Sequence, residues 1–354
     1  MIYRYISYKC LSLSRYFIFT SCALVHITSR SVLLPPAFNR CIETKHVTSL
    51  NHIIKLFMQY CNVNIKMVPN EDILIKLNTP EIIELKDFYN VHKDQFPQVY
   101  SFLKTTLKWH KTHPEYITVF SVQGDWRNDG TFIALLTFSC YDIFMHSLQD
   151  SYEKLRIGLT QTKQINWYDY EIIFYAMYEK LKPIILQALS DINVPIKLSD
   201  ETYLWQLPQN AALQLSDTFD HNDYYMDAVK AEDAEAINAI WPPRFNTSLE
   251  YIRTFITMNG GFGIYEKSTH ELVSWVLINV LGQLGVLQTR EGYFKNGFGA
   301  ALTRKAARII GKNGDHPIGT IGSMNLASQG LFTKLGFEQK YSCIYIRCHK
   351  KSIS

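Results

Sequence analysis

The chain has 354 residues, enough for two domains of ordinary size, each with its own core. Its 47% hydrophobic and 19% charged residues describe a globular protein rather than a disordered one, and a formal net charge of +4 is too mild to argue for nucleic acid. Seven cysteines with no CxxC pair give neither a disulfide framework nor a zinc site, which fits a reducing compartment.

Residues 1–45 read as a targeting segment or another extension outside the fold. Arg4, Lys9, Arg15, Arg30 and Arg40 all precede the first acid, Glu43. An acid-poor, Arg- and Ser-containing N-terminus resembles a mitochondrial transit peptide, with a cytoplasmic protein as the alternative. The apolar run 16–27 is also of signal-peptide length, and a start at Met58 or Met67 would remove the whole stretch. No run is long enough to be an integral membrane segment.

Residues 67–206 read as one mixed α/β domain. Thr79 is the expected N-cap of a helix with Pro80 at its first position. The segment "FPQVYSFLKTTLKWH" continues with helical spacing of Val99, Phe102, Leu103 and Leu107. "ITVFSV" and "TFIALLTFS" are β-rich and joined by the turn chemistry of "GDWRNDG". Segments 150–162 and 167–190 read as helices, and "VPIKLSDETYLWQL" returns to strand. His110 and His113 lack partner ligands and read as surface histidines, so no metal is expected. Nothing in this half offers a Gly-x-Gly turn between strand and helix, and no phosphate site is assigned to it.

Residues 207–223 are polar and weakly patterned, as a linker would be. A second domain, 224–354, opens with helices at 231–241 and 248–258. Two strands follow within "GFGIYEKSTHELVSWVLINV", and a third, "GQLGVLQTR", leads into the loop "YFKNGFGAALTRKAARII" at 293–310. A helix over 298–312, the segment "PIGTIGSMN", a short helix in "LASQGLFTKLGF" and a closing strand "SCIYIRC" complete the chain. Taken alone, the Asn296-Gly297-Phe298-Gly299 turn is either a strand-to-helix corner or a phosphate cradle. Glycines free the backbone angles there, and a helix start offers unpaired N–H groups to an anion.

This order of elements resembles the acyltransferase fold of the GNAT superfamily. The loop 294–299 is similar to that family's Arg/Gln-x-x-Gly-x-Gly pattern, with Phe294 in the first position. "NLASQGLFTKLGF", 325–337, resembles its Asn…Leu-Tyr-x-Lys-Leu-Gly-Phe ending. Within the superfamily, Ser274-Trp275 and the spacing from Gly282 to Gly297 are similar to the glycine N-acyltransferase-like family. The resemblance implies an α/β (α+β) GNAT fold in the second domain. The first domain would be the mixed unit of that family, a degenerate tandem copy of the same fold being one form of it.

The resemblance also implies a function: transfer of an acyl group from acyl-CoA to an amine by direct attack in a ternary complex. The acceptor would be glycine, another amino acid or a small amine, with acyl-CoA as co-substrate, no permanently bound cofactor, and a monomeric protein. Main-chain N–H groups of Lys295, Asn296, Gly297, Phe298, Gly299 and Ala300 would hold the pyrophosphate, with Lys295, Arg304 and Lys305 in reach of the outer phosphates. The strand around Leu287, Gln288 and Thr289 would polarise the thioester carbonyl, and Asn325 would cap the last helix and contact the pantetheine arm.

The family's general base is a Glu at the position of Gln283, and a carboxamide has no useful basicity. Glu291 is the substitute carboxylate; otherwise the amine must arrive neutral. The family's tyrosine slot is Leu331-Phe332, which leaves Ser328 as the nearest hydroxyl for the leaving thiolate. Trp275 is read as core in preference to a substrate-facing wall. The rival from another class is a non-enzymatic acyl-CoA-binding or interaction protein.

Overall fold

The computed structural model describes residues 16–20, 23–27 and 72–352. Two compact units divide the chain, Met1–Asn70 and Glu71–Ser354. In the first, β1 (Tyr16–Thr20) and β2 (Ala23–Ile27) pair as an antiparallel hairpin. The other residues of the 1–45 segment lie outside the described ones.

The second unit is built on one twelve-stranded sheet. It opens with β3 (Leu74–Lys76) and α1 (Thr79–Asn90). The N-cap of α1 is Asn78, one residue before the expected Thr79. Asn78 and Glu81 exchange side-chain and backbone bonds in a capping box, which satisfies two of the helix's orphan donors. α2 (Pro97–Trp109) follows, with Val99, Phe102 and Leu103 buried at helical spacing. β4 (Ile117–Val122), β5 (Phe132–Leu136) and β6 (Tyr141–His146) form a meander, and α3 (Glu153–Gln161) covers it.

The helix expected over 167–190 is instead β7 (Ile172–Tyr178) followed by α4 (Lys182–Asp191). "IIFYAMY" is apolar on both faces because the strand is interior to the sheet. Such a run carries no period of two to separate it from a buried helix. β8 (Ile196–Gln206) closes the first half.

The 207–223 segment is ordered rather than an open linker. It contains α5 (Gln209–Gln214), whose Ala212 is fully buried. The second half runs β9 (Tyr224–Ala228), α6 (Ala234–Ile240), α7 (Ser248–Met258), β10 (Gly261–Glu266), β11 (Leu272–Ile278) and β12 (Leu284–Thr289). α8 (Phe298–Lys312), β13 (Ile318–Gly322), α9 (Leu326–Lys334) and β14 (Glu338–Cys348) complete it. α8 buries Phe298, Ala301, Leu302 and Ala306, and Gly311 lets α5 pack close: a Cβ there would meet that of Ala212 at 3.0 Å.

The strand order is β3-β4-β5-β6-β7-β14-β8-β13-β12-β11-β10-β9. Each half is an antiparallel run of four strands followed by one parallel neighbour, β6 to β7 and β12 to β13. The halves then exchange their last strands. β14 sits between β7 and β8 of the first half, and β8 lies against β13 of the second.

Candidate active site

The sequence "GVLQT" gives β12 an irregular path. Trp275 on β11 faces Gln288, but Leu277 faces Gly285, so β12 carries two residues, Val286 and Leu287, where β11 has one. Val286 stands at φ 51°, a costly setting for a β-branched residue and the mark of a bulge. Val286 and Leu287 have no register partner on either neighbouring strand. On its other side β12 meets β13 at one register pair only, Leu284 with Gly319. Beyond that pair the parallel strands part, which leaves a gap whose rim holds unpaired backbone groups.

The chain leaves β12 through Glu291 and reaches α8 by way of three left-handed residues, Gly292 (φ 89°), Lys295 (φ 67°) and Gly297 (φ 77°). Gly297 is the N-cap of α8 and makes no side-chain cap bond. The first intrahelical bond is Ala301 N–H to Gly297 O at 3.0 Å. The N–H groups of Phe298, Gly299 and Ala300 therefore have no acceptor among the described residues. A Cβ at Gly297 would meet nothing within 4 Å, and one at Gly299 only Leu331 Cδ2 at 3.5 Å. No acid stands in the first turn. An open nest of this kind at the positive end of a 15-residue helix attracts an anion.

Of the cations expected near the phosphates, Lys295 is exposed on this loop. Arg304 and Lys305 are held elsewhere: Arg304 Nε donates to Ser216 O at 3.2 Å, and Lys305 Nζ lies 3.5 Å from Asp217. With Arg308, which donates to the carbonyls of Leu213 and Leu215, they clamp the 213–217 segment onto α8. Asn296 is exposed, and its Nδ2 donates to Tyr293 O within the loop.

Gln283 is fully buried and its amide is engaged at both ends. Oε1 accepts from Thr320 Oγ1 on β13 at 2.8 Å and from Asn279 Nδ2 at 3.4 Å, while Nε2 donates to Gln98 Oε1 of α2 at 3.1 Å. Gln98 in turn donates to the Ala176 carbonyl. This amide chain ties the start of β12 to the first half of the chain. Glu291 is exposed and forms no bond to a described residue.

Asn325 caps α9 through Oδ1, which accepts the Ser328 N–H at 3.1 Å. Ser328 is half-buried, and its hydroxyl does not bond back to a helix carbonyl among the described residues. Phe332, where the resemblance would place a tyrosine, is buried against Phe337 and Gly319. Trp275 has no exposed surface, as expected of core. Its Nε1 nevertheless finds no acceptor among the described residues, and neither does Gln288 Oε1 find a donor. Each buried, unmet polar atom costs roughly 1–3 kcal/mol. The sequence carries no signal for this pair, because the bulge that opposes Trp275 to Gln288 leaves no mark in periodicity.

The matching place in the first half is filled. β6 and β7 pair in parallel from Tyr141 to Ile143. Past that point the rings of Phe96, His146 and Tyr178 close on one another at 4.5–5.9 Å, with Lys180 Nζ 4.5 Å over Phe96. α3 begins with Glu153 in its first turn, so a phosphate would meet a carboxylate there. Among the described residues no cluster of His, Cys, Asp and Glu could hold a metal ion, and no helix is long and apolar enough to cross a membrane.

Residues 261–346 match the FR47-like protein family model, and residues 73–187 match a domain of unknown function (DUF5645). No match was found among curated proteins. Among solved structures the chain is similar to a Drosophila protein at 22% identity and TM-score 0.72, over 80% of this chain and 100% of that one. It is also similar to a tandem GNAT protein from the clavulanic acid biosynthesis pathway, at 10% identity and TM-score 0.52, with the same two coverages. The fold is thus a mixed α/β fold of the GNAT type, two GNAT-like halves in one chain.

Proposed function

We propose that the chain moves an acyl group from acyl-CoA to the nitrogen of a small amine, glycine or another amino acid included, by direct attack in a ternary complex. The observation that carries this reading is the row of unmet N–H groups at 298–300, opening α8 directly after a bulged strand that parts from its neighbour. It is supported by the FR47-like match over the same elements and by the tandem GNAT fold.

In this reading the 295–300 backbone holds the pyrophosphate and the pantetheine lies in the gap between β12 and β13. The thioester carbonyl accepts from a main-chain N–H of the stretch Leu287, Gln288 and Thr289, which begins at a residue without a register partner, and that bond stabilises the oxyanion as it forms. The N–C bond forms as the C–S bond breaks. The amine nitrogen gives up its proton to solvent water, and the thiolate takes one up to leave as free coenzyme A thiol. Ser328, with an unengaged hydroxyl on α9, supplies that proton through water. Gln283 cannot accept the amine's proton, since its oxygen has no basicity and is already bonded twice. In this reading acyl-CoA is a co-substrate rather than a resident cofactor, and the protein acts as a monomer. The mitochondrial reading rests on the composition of residues 1–45.

Calorimetry with coenzyme A tests the cradle. Gly297→Glu should weaken binding more than tenfold, above ~1.4 kcal/mol, and an unchanged affinity in the folded variant would make the loop a mere corner. Thiol release over a panel of amines tests the chemistry. For an amine of pKa ~9 to 10 with no protein base, the rate should rise about tenfold per pH unit between about pH 7 and 9. A profile flat over that range and abolished by Glu291→Gln would assign the base to Glu291. A second reading, an acyl-CoA-binding protein without turnover, is favoured by the engaged Gln283 amide and by Phe332 in the tyrosine slot. Binding without thiol release would identify it.

A further inference from the structure

β9 ends the twelve-stranded sheet, and its one strand partner among the described residues is β10. The bonds from Val229 N–H to Gly261 O at 3.1 Å and from Lys267 N–H to Asp223 O at 2.8 Å set which β9 residues bond inward. Such residues alternate in an antiparallel pair, so Tyr225 and Asp227 bond to β10, while Tyr224 and Met226 turn their N–H and C=O groups to the open edge. Those four groups have no partner among the described residues. Open edges are commonly guarded by proline, lysine or a bulge. β9 has neither proline nor lysine, and its register against β10 is unbroken.

A groove of about 550 Å³ lies along this edge, lined by β9 and by the 217–221 segment. Its two faces differ. Toward α8 stand Tyr224, Met226 and Phe262, the last opposite Ala228, with Phe219 beside them. The rings of Tyr224 and Phe219 lie 4.8 and 6.1 Å from that of Phe298, the first residue of α8. All four side chains are only partly buried, so this face offers apolar surface. The other face carries Tyr225 and Asp227, joined by Asp223 through the same alternation. Residues 209–229 contain four Asp and no Lys or Arg. Asp223 and Asp227 are exposed, and Asp227 accepts the Ala228 N–H at 2.7 Å. The two lysines of the groove are engaged: Lys305 with Asp217 at 3.5 Å, and Lys267, whose Nζ donates to the His221 carbonyl at 2.9 Å.

We infer that the groove takes up an extended basic segment of a partner protein as an added edge strand. Its main chain exchanges bonds with Tyr224 and Met226, which supplies affinity whatever the side chains. Its apolar residues turn to the face of Phe219, Tyr224, Met226 and Phe262, and the alternating Lys or Arg residues meet Asp223 and Asp227. A second copy of this chain is the wrong occupant. β9 against β9, in the register centred on Tyr225, would set Asp223 opposite Asp227, and like charges directly opposed destabilise a strand pair. The inference does not depend on the acyl-transfer reading.

Fluorescence anisotropy with the full chain tests it, the probe being a labelled, end-blocked hexapeptide of alternating valine and lysine. It should bind about tenfold or more tightly than the valine–glutamate hexapeptide, and more tightly than a peptide with its valines and lysines in two blocks. N-methylation removes main-chain donors without touching charge. Applied to the valines or to the lysines, it should abolish binding for one set and spare it for the other, since alternate N–H groups face β9. Met226→Pro removes an outward N–H at an edge, where proline is tolerated, and should weaken binding about tenfold. Asp223→Lys combined with Asp227→Lys should do the same. If either variant fails to fold, the methylated peptides and amide exchange on the unaltered chain still decide. Exchange of the Tyr224 and Met226 N–H groups, read by NMR, should slow in the complex. Lysine amide binding as tightly as the hexapeptide would make the groove a site for small cations and overturn the inference. So would a hexapeptide that does not bind, that tolerates methylation of both sets, or that leaves the two amides exchanging as before.

Discussion

Asp142 lies on β6 with 1% of its surface exposed. Its Oδ2 receives the Cys140 thiol at 3.1 Å, and Oδ1 has no partner among the described residues. Burial raises its pKa to about 7 from 3.8. The unfolded chain gives up this proton near pH 4 and the folded chain holds it to about 7, so stability falls as pH rises through that window. Each tenfold difference in proton affinity is worth about 1.4 kcal/mol, which makes the penalty at pH 8 on the order of several kcal/mol. Asp142→Asn is therefore expected to exceed the wild type in urea unfolding at pH 8 and to match it below pH 4. Equal curves at pH 8 would mean that the carboxylate is solvated in the native state. Gln283 poses the opposite case. Gln283→Glu would turn an oxygen toward Gln98 Oε1, where Nε2 now donates, in a site with no exposed surface. We expect a melting temperature lower than wild type, with the deficit larger at pH 8 than at pH 5, because the buried carboxyl keeps its proton at the lower pH. An equal deficit at both values would show that the carboxylate reaches water.

At the scale of elements, the strand–loop–helix unit β12–α8 separates stability from binding. Gly299 lies inside α8 at an ordinary helical φ, and a Cβ there meets only Leu331. Gly299→Ala should stabilise the helix by up to ~1 kcal/mol. If the turn holds the coenzyme A pyrophosphate as proposed, the same methyl stands in the cradle's first turn, so coenzyme A affinity should drop while thermal stability rises. A rise in both would place the phosphate away from this turn. This unit was also the most legible part of the sequence. Helix 298–312 was read to its ends, since glycine punctuation and a 3.6-residue period are local signals. β7 carries no strand signal of its own: its side chains are buried on both faces, which removes the period of two, and its edge partners β6 and β14 lie far apart in the chain. Gln283 was legible as a position but not in its bonds, whose partners Gln98 and Thr320 stand 185 and 37 residues away. The unmet Trp275 and Gln288 atoms depend on a bulge that no periodicity announces.

For the whole molecule the exchanged strands decide what folds alone. A fragment 224–354 contains β14 but neither of its neighbours, β7 and β8. It also lacks β8 at the edge of β13, where pairing runs from Ile318 opposite Gln206 to Gly322 opposite Thr202. Cys343, Ile344, Ile346 and Cys348, all buried in the full chain, would be uncovered together with both edges of their strand. An apolar strand with two open edges templates aggregation. The fragment 67–206 is no better placed, because β8 then has neither β14 nor β13 beside it. The complete chain should therefore unfold in one cooperative transition over residues 72–352, and each fragment alone should aggregate or melt without cooperativity. Produced together, the fragments should reassociate and recover coenzyme A binding, since every strand then finds its neighbours. The amide chain from Gln283 through Gln98 to Ala176 predicts the same dependence at the site, for it closes only when both halves are present. A 224–354 fragment that melts cooperatively and binds coenzyme A with the affinity of the full chain would show that the second half pairs its own last strand and that the exchange is dispensable.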